Sequence, residues 1–504
     1  MNKIKRLLGC GLAAAMILSI AACEDTAPTS NPTSGNTSGD FGTSASTSAS
    51  TSTSYETDKE AKDLDTSSYS PSGNAGEVSF LTYYSIRNDQ KTKEQTLIFE
   101  GETFGGKIVE SNASSLTYLE DLSVAISGDK SPDLVLFDTL SFPNGISKNL
   151  FTPLDDYIDI NDPVWDGVKD LIDEFEYKEK HYFLPHRVLT KYGLNYNRKT
   201  IENAGLDDPY NLYMEGKWTW DTWRKLMIDF CNIDPENNIG LCCTDTMLEG
   251  FINTTGTSII NVNADGTIQN NLNDPDVNAA VDFLAELGRN GLLKGGYISP
   301  QDFASSHSDT LLFLSMQPEW TYIAATEQIQ RIQPGSIDNY IHDTPSDFAF
   351  VPFPKYEKAS EYYMCAEPYG FMIPKGAKNI DGAVDFIYCN RLYEIDEDII
   401  KQTKNDHIAP AEVHVKGGPD KGKRDWVITW DEKVYDLMVE MTDSSKFTFI
   451  IEDMYGINKD CSKDICKAIF GSTFGADDGT VKSWTQEREA LIPVVDGYIA
   501  EYTG

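Results

Sequence analysis

The sequence predicts an α/β protein of two lobes, and three observations carry that prediction. Short apolar runs ending in turn residues alternate with amphipathic helical patterns. The 504-residue length exceeds what one small domain needs. Residues 193–230 set strand, helix, loop and capped helix in close succession. Within that stretch, 194–197 read as the end of a strand and 198–204 as a short helix, which Gly205 ends by supplying a positive φ. Thr219 can cap the next helix, and Asp221 sits where the helix dipole favours negative charge. Trp220, Trp223, Met227 and Phe230 recur at helical spacing, so both tryptophans read as one apolar face packed in a core.

The chain opens with Lys3, Lys5 and Arg6 ahead of an apolar run, residues 7–22. That run is shorter than the roughly 20 residues that span a bilayer, so 1–22 read as a cleaved signal peptide. Ile20-Ala21-Ala22-Cys23 resembles a bacterial lipobox, which implies that Cys23 is lipidated and becomes the new N-terminus. Residues 23–75 are rich in Ser, Thr, Asn, Gly and Pro and offer no apolar face, so they read as a disordered tether. Such a tether has an r.m.s. span of roughly 40 Å.

The folded module starts at residue 76. Strands are expected at 78–84, 106–110 and 134–137, with helix between the first two and at 118–126, and residues 150–157 lead into a further helix. Asn263-Ala264-Asp265-Gly266 reads as a turn between short strands. Asp274 begins a helix with Val277, Ala280, Val281, Leu284 and Leu287 on one face. The continuous apolar run 311–314 reads as a buried strand.

Several short motifs occur in a telling order: S-G-D-K-S-P-D at 127–133, P-L-D-D-Y at 153–157, Y-N-R-K-T-I-E-N-A-G-L at 196–206, T-W-D at 219–221 and Y-G-F-M-I-P-K-G-A-K at 369–378. This order resembles family 1 extracellular solute-binding proteins, which deliver sugars to ABC importers. The resemblance implies a periplasmic-binding-protein-like type II fold, two α/β lobes joined by hinge crossings with a ligand cleft between them. It places crossings near 184–193, 348–355 and 405–411, with lobe 1 at about 77–184 and 355–405 and lobe 2 at about 193–348 and 411–504. It further implies a carbohydrate ligand, ABC permease transmembrane subunits as partners, and a monomer anchored by lipid on the extracellular face of the bacterial cell membrane. No cofactor is implied.

Ligands of open α/β sheets bind outside the carboxyl ends of the strands. That rule selects Tyr83 and Tyr84, Phe137 and Asp138, and Glu319, Trp320 and Tyr322. A pyranose stacks its C–H face on aromatic rings and offers hydroxyls to fixed polar groups, so these residue types suit a sugar. The resemblance supports Trp320, in Gln317-Pro318-Glu319-Trp320 where relatives have a G-x-W turn, and Phe137 after the "PD" strand. It also suggests Tyr455. His186, Glu367 and Tyr369 complete the expected ligand-binding set.

Other chemistries are poorly supported. A net charge of −37 argues against nucleic acid as a general partner. With six histidines there is no H-E-x-x-H motif, and no G-x-S-x-G or phosphate-cradling loop stands in its expected context. Residues 261–266 mimic half of a calcium loop, but Leu272 stands where a bidentate Glu is needed, so no metal is expected. The seven cysteines beyond Cys10 and Cys23 read as mostly free, half-buried thiols. An extracellular glycan-degrading enzyme and a glycan adhesin without a transporter are the alternative classes.

Overall fold

The computed structural model describes residues 63–87, 90–244, 248–296, 309–319, 321–322, 347–409, 411–414, 424–428, 430–475 and 481–503. Cys23, the rest of the chain before residue 63, and Trp320 lie outside them.

Strands β1 (Gly76–Thr82), β2 (Gly106–Asn112), β3 (Leu134–Leu136) and β4 (Leu184–Thr190) come first in the chain. They are followed by β5 (Tyr192–Asn197), β6 (Ile239–Cys243), β7 (Ile260–Val262), β8 (Ile268–Asn270) and β9 (Leu293–Gly295). β10 (Thr310–Met316), β11 (Phe348–Val351), β12 (Tyr363–Met372), the hairpin β13 (Ala411–His414) and β14 (Arg424–Ile428), and β15 (Thr448–Ile450) complete the set.

Two sheets organise these strands. The first runs β15-β12-β3-β1-β2, with β4 antiparallel on β12; β1 pairs parallel with β2 and β3. The second runs β11-β5-β10-β6-β9, with β10, β6 and β9 parallel and β5 antiparallel to both of its neighbours. Parallel strands covered on both faces are apolar without alternation, as β3 and β10 are. The chain leaves β4 at Thr190 and enters β5 at Tyr192, so Lys191 alone links the two sheets at this point.

Local signals act as their chemistry dictates. Asn197 caps the helix Arg198–Ala204, and Gly205 ends it at φ +67°. Thr219 caps Trp220–Cys231, and Asp274 caps Pro275–Arg289. Asp133 ties three segments together: its carboxylate accepts from Ser79 N and Oγ at 2.9 and 2.6 Å, and from Lys378 N and Asn379 N at 2.8 Å. These donors hold it ionised below the usual carboxylate range despite a burial penalty.

Three expectations change. Residues 63–75, expected to belong to the disordered tether, pack on the fold: the Tyr69 hydroxyl donates to Asp385 Oδ1 at 2.6 Å, its ring stacks on Tyr388 at 3.9 Å, and Ala75 N donates to Phe104 O at 2.9 Å. Residues 154–158 form a turn on Leu154 O rather than entering a helix, and helical turns begin only at Pro163–Trp165 and Lys169–Glu174. Asp155 is committed to His181, accepting from its N at 3.0 Å and meeting its Nδ1 at 2.9 Å, so tertiary bonds override local propensity there. The cysteines are free but deeper than expected: Cys242, Cys243, Cys365, Cys389, Cys461 and Cys466 are buried and Cys231 is half-buried.

Trp223 is fully buried against Phe251 and Phe283 in the second sheet's core, and Trp220 stacks on Phe251 and Tyr356. Trp223→Ala is expected to lower unfolding free energy by about 3–5 kcal/mol in urea titrations. A loss below about 1 kcal/mol would place this ring outside the core.

Candidate functional site

The site is built where the chain crosses between the sheets. Gln317 N donates to Lys191 O at 2.9 Å, which docks the turn after β10 onto the crossing. A Cβ on Gly193 would lie 2.5 Å from Pro318 Cγ, so glycine permits this close approach. Gln317 adopts φ +43°, a strained conformation for a residue with a side chain. Its Nε2 donates to Glu367 Oε2 at 3.2 Å, linking the turn to β12 of the other sheet. Glu319 follows. Burial pushes its carboxyl up to about 8; Glu367 adds to the rise and Arg187 opposes it.

The first sheet supplies an aromatic wall. Tyr83 and Tyr84 follow β1, and the Tyr84 hydroxyl is hydrogen-bonded to the Tyr369 hydroxyl on β12. Arg187 pairs with Tyr369 in register, and its guanidinium lies 4.6 Å from that ring's centroid. Such a cation–π contact contributes about 0.5–2 kcal/mol. Glu394 lies 3.7 Å from the same guanidinium. His186, fully buried, stands edge-on to Tyr369 at 5.4 Å and stacks on Phe371 at 5.2 Å. Neither ring nitrogen has a hydrogen-bond partner among the described residues. Burial, with Arg187, Lys91 and Arg391 nearby, holds its pKa well below the usual histidine range, so it is a neutral support under Tyr369.

The opposite wall gathers around Lys191. Its ammonium lies 4.9 Å from the Tyr455 ring centroid and 5.3 Å from that of Tyr192. Tyr455 donates to Glu249 Oε1 at 2.7 Å, and the Tyr192 hydroxyl donates to the same oxygen. Burial raises the Glu249 carboxyl, with Lys191 and both tyrosines pulling the other way. Burial also opposes the charge on Lys191, but Cys365, Glu249, Glu367 and Glu452 outweigh it and raise its pKa. Glu452 accepts from Ile259 N at 2.7 Å and Ile260 N at 3.0 Å, and burial still pushes its carboxyl up to about 7.

The structure brings Tyr84, His186, Glu367 and Tyr369 together, and sets Tyr455 beside Lys191. Phe137 stacks on Phe183 at 4.0 Å within a group of phenylalanines. Asp138 caps the turn Thr139–Ser141 and accepts from Leu140 N at 3.0 Å. Tyr322 is 1% exposed, with its ring 4.5 Å from Trp430 and its hydroxyl accepting from Asp431 N at 2.9 Å, so it stands in the second core. Arg187, Lys191, Gln317 and Glu249 were not selected from the sequence. Lys191 had a signal, as the only charge in residues 188–197; Glu249 had none.

The model of the bacterial extracellular solute-binding proteins matches residues 97–405, more than half of the chain. The chain belongs to this family. Solved structures agree on the fold of this solute-binding protein. A cyclic alpha-maltosyl-1,6-maltose binding protein from Arthrobacter globiformis superposes with a TM-score of 0.59 at 15% identity, over 85% of this chain and 99% of that one. The sugar-binding protein MalE from Xanthomonas citri gives a TM-score of 0.58 at 14% identity, over 84% and 98%. UgpB from Mycobacterium tuberculosis, in complex with glycerophosphocholine, gives 0.56 at 13%, over 85% and 100%. The expected two-lobed, periplasmic-binding-protein-like type II architecture is therefore the fold of the chain. None of the curated proteins matches it in sequence.

The raised carboxyls set a pH dependence. Glu319 and Glu452 keep their protons in the folded state to about 8 and about 7, whereas the unfolded chain releases them near 4.5. The folded state binds more protons across that window, so stability is greatest at its acid end and falls as pH rises through it. The thermal midpoint is expected to be higher near pH 5 than near pH 8, and Glu319→Gln should flatten part of the fall. An unchanged slope in the variant would show that Glu319 does not hold its proton.

Proposed function

We propose that this solute-binding protein is the extracellular receptor of an ABC importer, taking a carbohydrate, an oligosaccharide in particular, by cleft closure. The observation that carries the reading is the pairing of Tyr84 and Tyr369 over Arg187, with half-buried Glu367 on the same strand and half-buried Glu319 in the turn docked on the crossing. Rings give a pyranose its stacking surface, and acids and amides give its hydroxyls directional partners. Tyr369, Tyr84, Glu367 and Tyr455 are the proposed ligand contacts, with His186 beneath them and Trp320, Phe137 and Asp138 as outer candidates.

The proposed lobes are 77–184 with 355–405, and 193–348 with 411–504. Because Lys191 and Gln317 join them at the crossing, closure would bring Tyr455 and Glu319 toward the aromatic wall. The ligand drives closure only through its greater affinity for the closed form. Delivery to permease subunits follows the family's role, the motif at Cys23 supports a lipid anchor on the outer face of the membrane, and the receptor is proposed to act as a monomer.

A glycan library screened for thermal stabilisation tests this reading. A bound oligosaccharide at about 100 times its Kd should add about 2.7 kcal/mol. Tyr369→Ala is expected to weaken the best ligand at least about tenfold with the fold intact. A protonated acid beside a second carboxylate also suits glycoside hydrolysis, so product release is followed in the same samples. Turnover without saturable stabilisation would establish an enzyme instead.

A further inference from the structure

Among the described residues, five with side chains adopt positive φ: Asp129, Asn149, Lys178, Glu179 and Gln317. The first four are exposed in turns, whereas Gln317 is half-buried where β10 ends beside the crossing. Asn and Asp visit this region most readily after glycine, because a short polar side chain can bond locally there; Gln has no such help. Strain of this kind persists only where its surroundings hold it, and it concentrates at functional sites.

Gln317 is held by both crossing segments at once. Its N donates to Lys191 O at 2.9 Å, and its Nε2 donates to Glu367 Oε2 at 3.2 Å. Met316 pairs with Tyr192 before it, and Pro318 packs on Gly193 after it, so the backbone on either side is fixed and the amide is aimed at β12. Glu367 receives no other hydrogen bond among the described residues. Its carboxylate therefore takes its orientation from this one amide, which engages Oε2 and leaves Oε1 for a further donor. Burial raises the Glu367 carboxyl, and Lys191 and the Gln317 amide oppose that rise.

We propose that Gln317 is a positioning residue for ligand recognition: its strained backbone aims the amide that orients the Glu367 carboxylate toward a ligand hydroxyl, and it does not touch the ligand itself. This rests on the carbohydrate-binding reading, in which Glu367 and Tyr369 act together from one strand. A misaimed acceptor weakens a hydroxyl contact without opening a core. Affinity and stability thus respond separately to changes at Gln317, and relief of the strain moves them in opposite directions.

Calorimetric titration of the full chain with maltotriose, cellotriose and xylotriose, alongside thermal unfolding, tests this. Gln317→Asn suits positive φ but carries its amide one methylene short of Glu367. Its thermal midpoint is expected to equal or exceed that of the unaltered protein, while the tightest of the three sugars binds at least about fivefold more weakly. Gln317→Met keeps the length and the strain without the donor, and should lose affinity to a similar extent. Glu367 also faces Lys191, Glu319, Tyr83 and Cys365. With the amide gone its carboxyl rises further, so the loss of affinity on acidification should begin at a higher pH in both variants. Unchanged affinity in either variant overturns the inference and leaves the carbohydrate reading standing. A loss of affinity matched by a lowered midpoint in Gln317→Asn makes the residue a structural tie and overturns it equally. Binding of none of the three sugars to the unaltered protein removes both.

Discussion

An ammonium placed on a single-residue crossing among carboxylates is the constraint around which the structure is arranged. Lys191 leaves one sheet and enters another within one residue, so its position is set by both. Its backbone carbonyl receives Gln317, and its side chain lies over Tyr192 and Tyr455. Without its charge, the hydroxyls of Tyr192 and Tyr455 would be left to offset the burial of Glu249, and the Gln317 amide that of Glu367, so both carboxyls would be pushed up further. The crossing is therefore also an electrostatic anchor, because the residue that fixes the path between the sheets carries the charge that offsets Glu249 and Glu367.

Much of the fold was legible because each local choice agreed with its neighbours. Asn197 and Gly205 bracket a helix by chemistry that needs no tertiary help, and the apolar residues of Pro275–Arg289 repeat at helical spacing over a long window. The failure at residues 154–158 is of the opposite kind. Its acidic residues look like a helix start, but Asp155 is claimed by His181, distant in sequence, and no local pattern announces that bond. The depth of the cysteines was also hidden, because a thiol's burial depends on which sheet face it meets.

The site was legible only in part. Strand ends pointed to Tyr84, and the aromatic at Tyr369 was visible beside Pro368. The polar half depends on partners brought together across β4, β5, β10 and β12. Glu249 takes its role from Tyr192 and Tyr455, and Gln317 from Lys191 and Glu367, none of which is adjacent in sequence. Tyr322 shows the reverse: it follows a strand end as a ligand contact would, but its hydroxyl is satisfied by Asp431 and its ring by Trp430.

β12 carries Glu367 and Tyr369 two positions apart, followed by a register shift between Tyr369 and Gly370. Alternation sets both side chains on one side of the strand at a separation of about 6.5–7 Å, fixed by the pleat. The distance from acid to ring is thus a property of the backbone, comparable with the length of one sugar ring. Side-chain substitutions at either position can change the chemistry that the strand offers while leaving that spacing unaltered. The shift at Gly370 ends that ruler, and limits it to a single acid and a single ring.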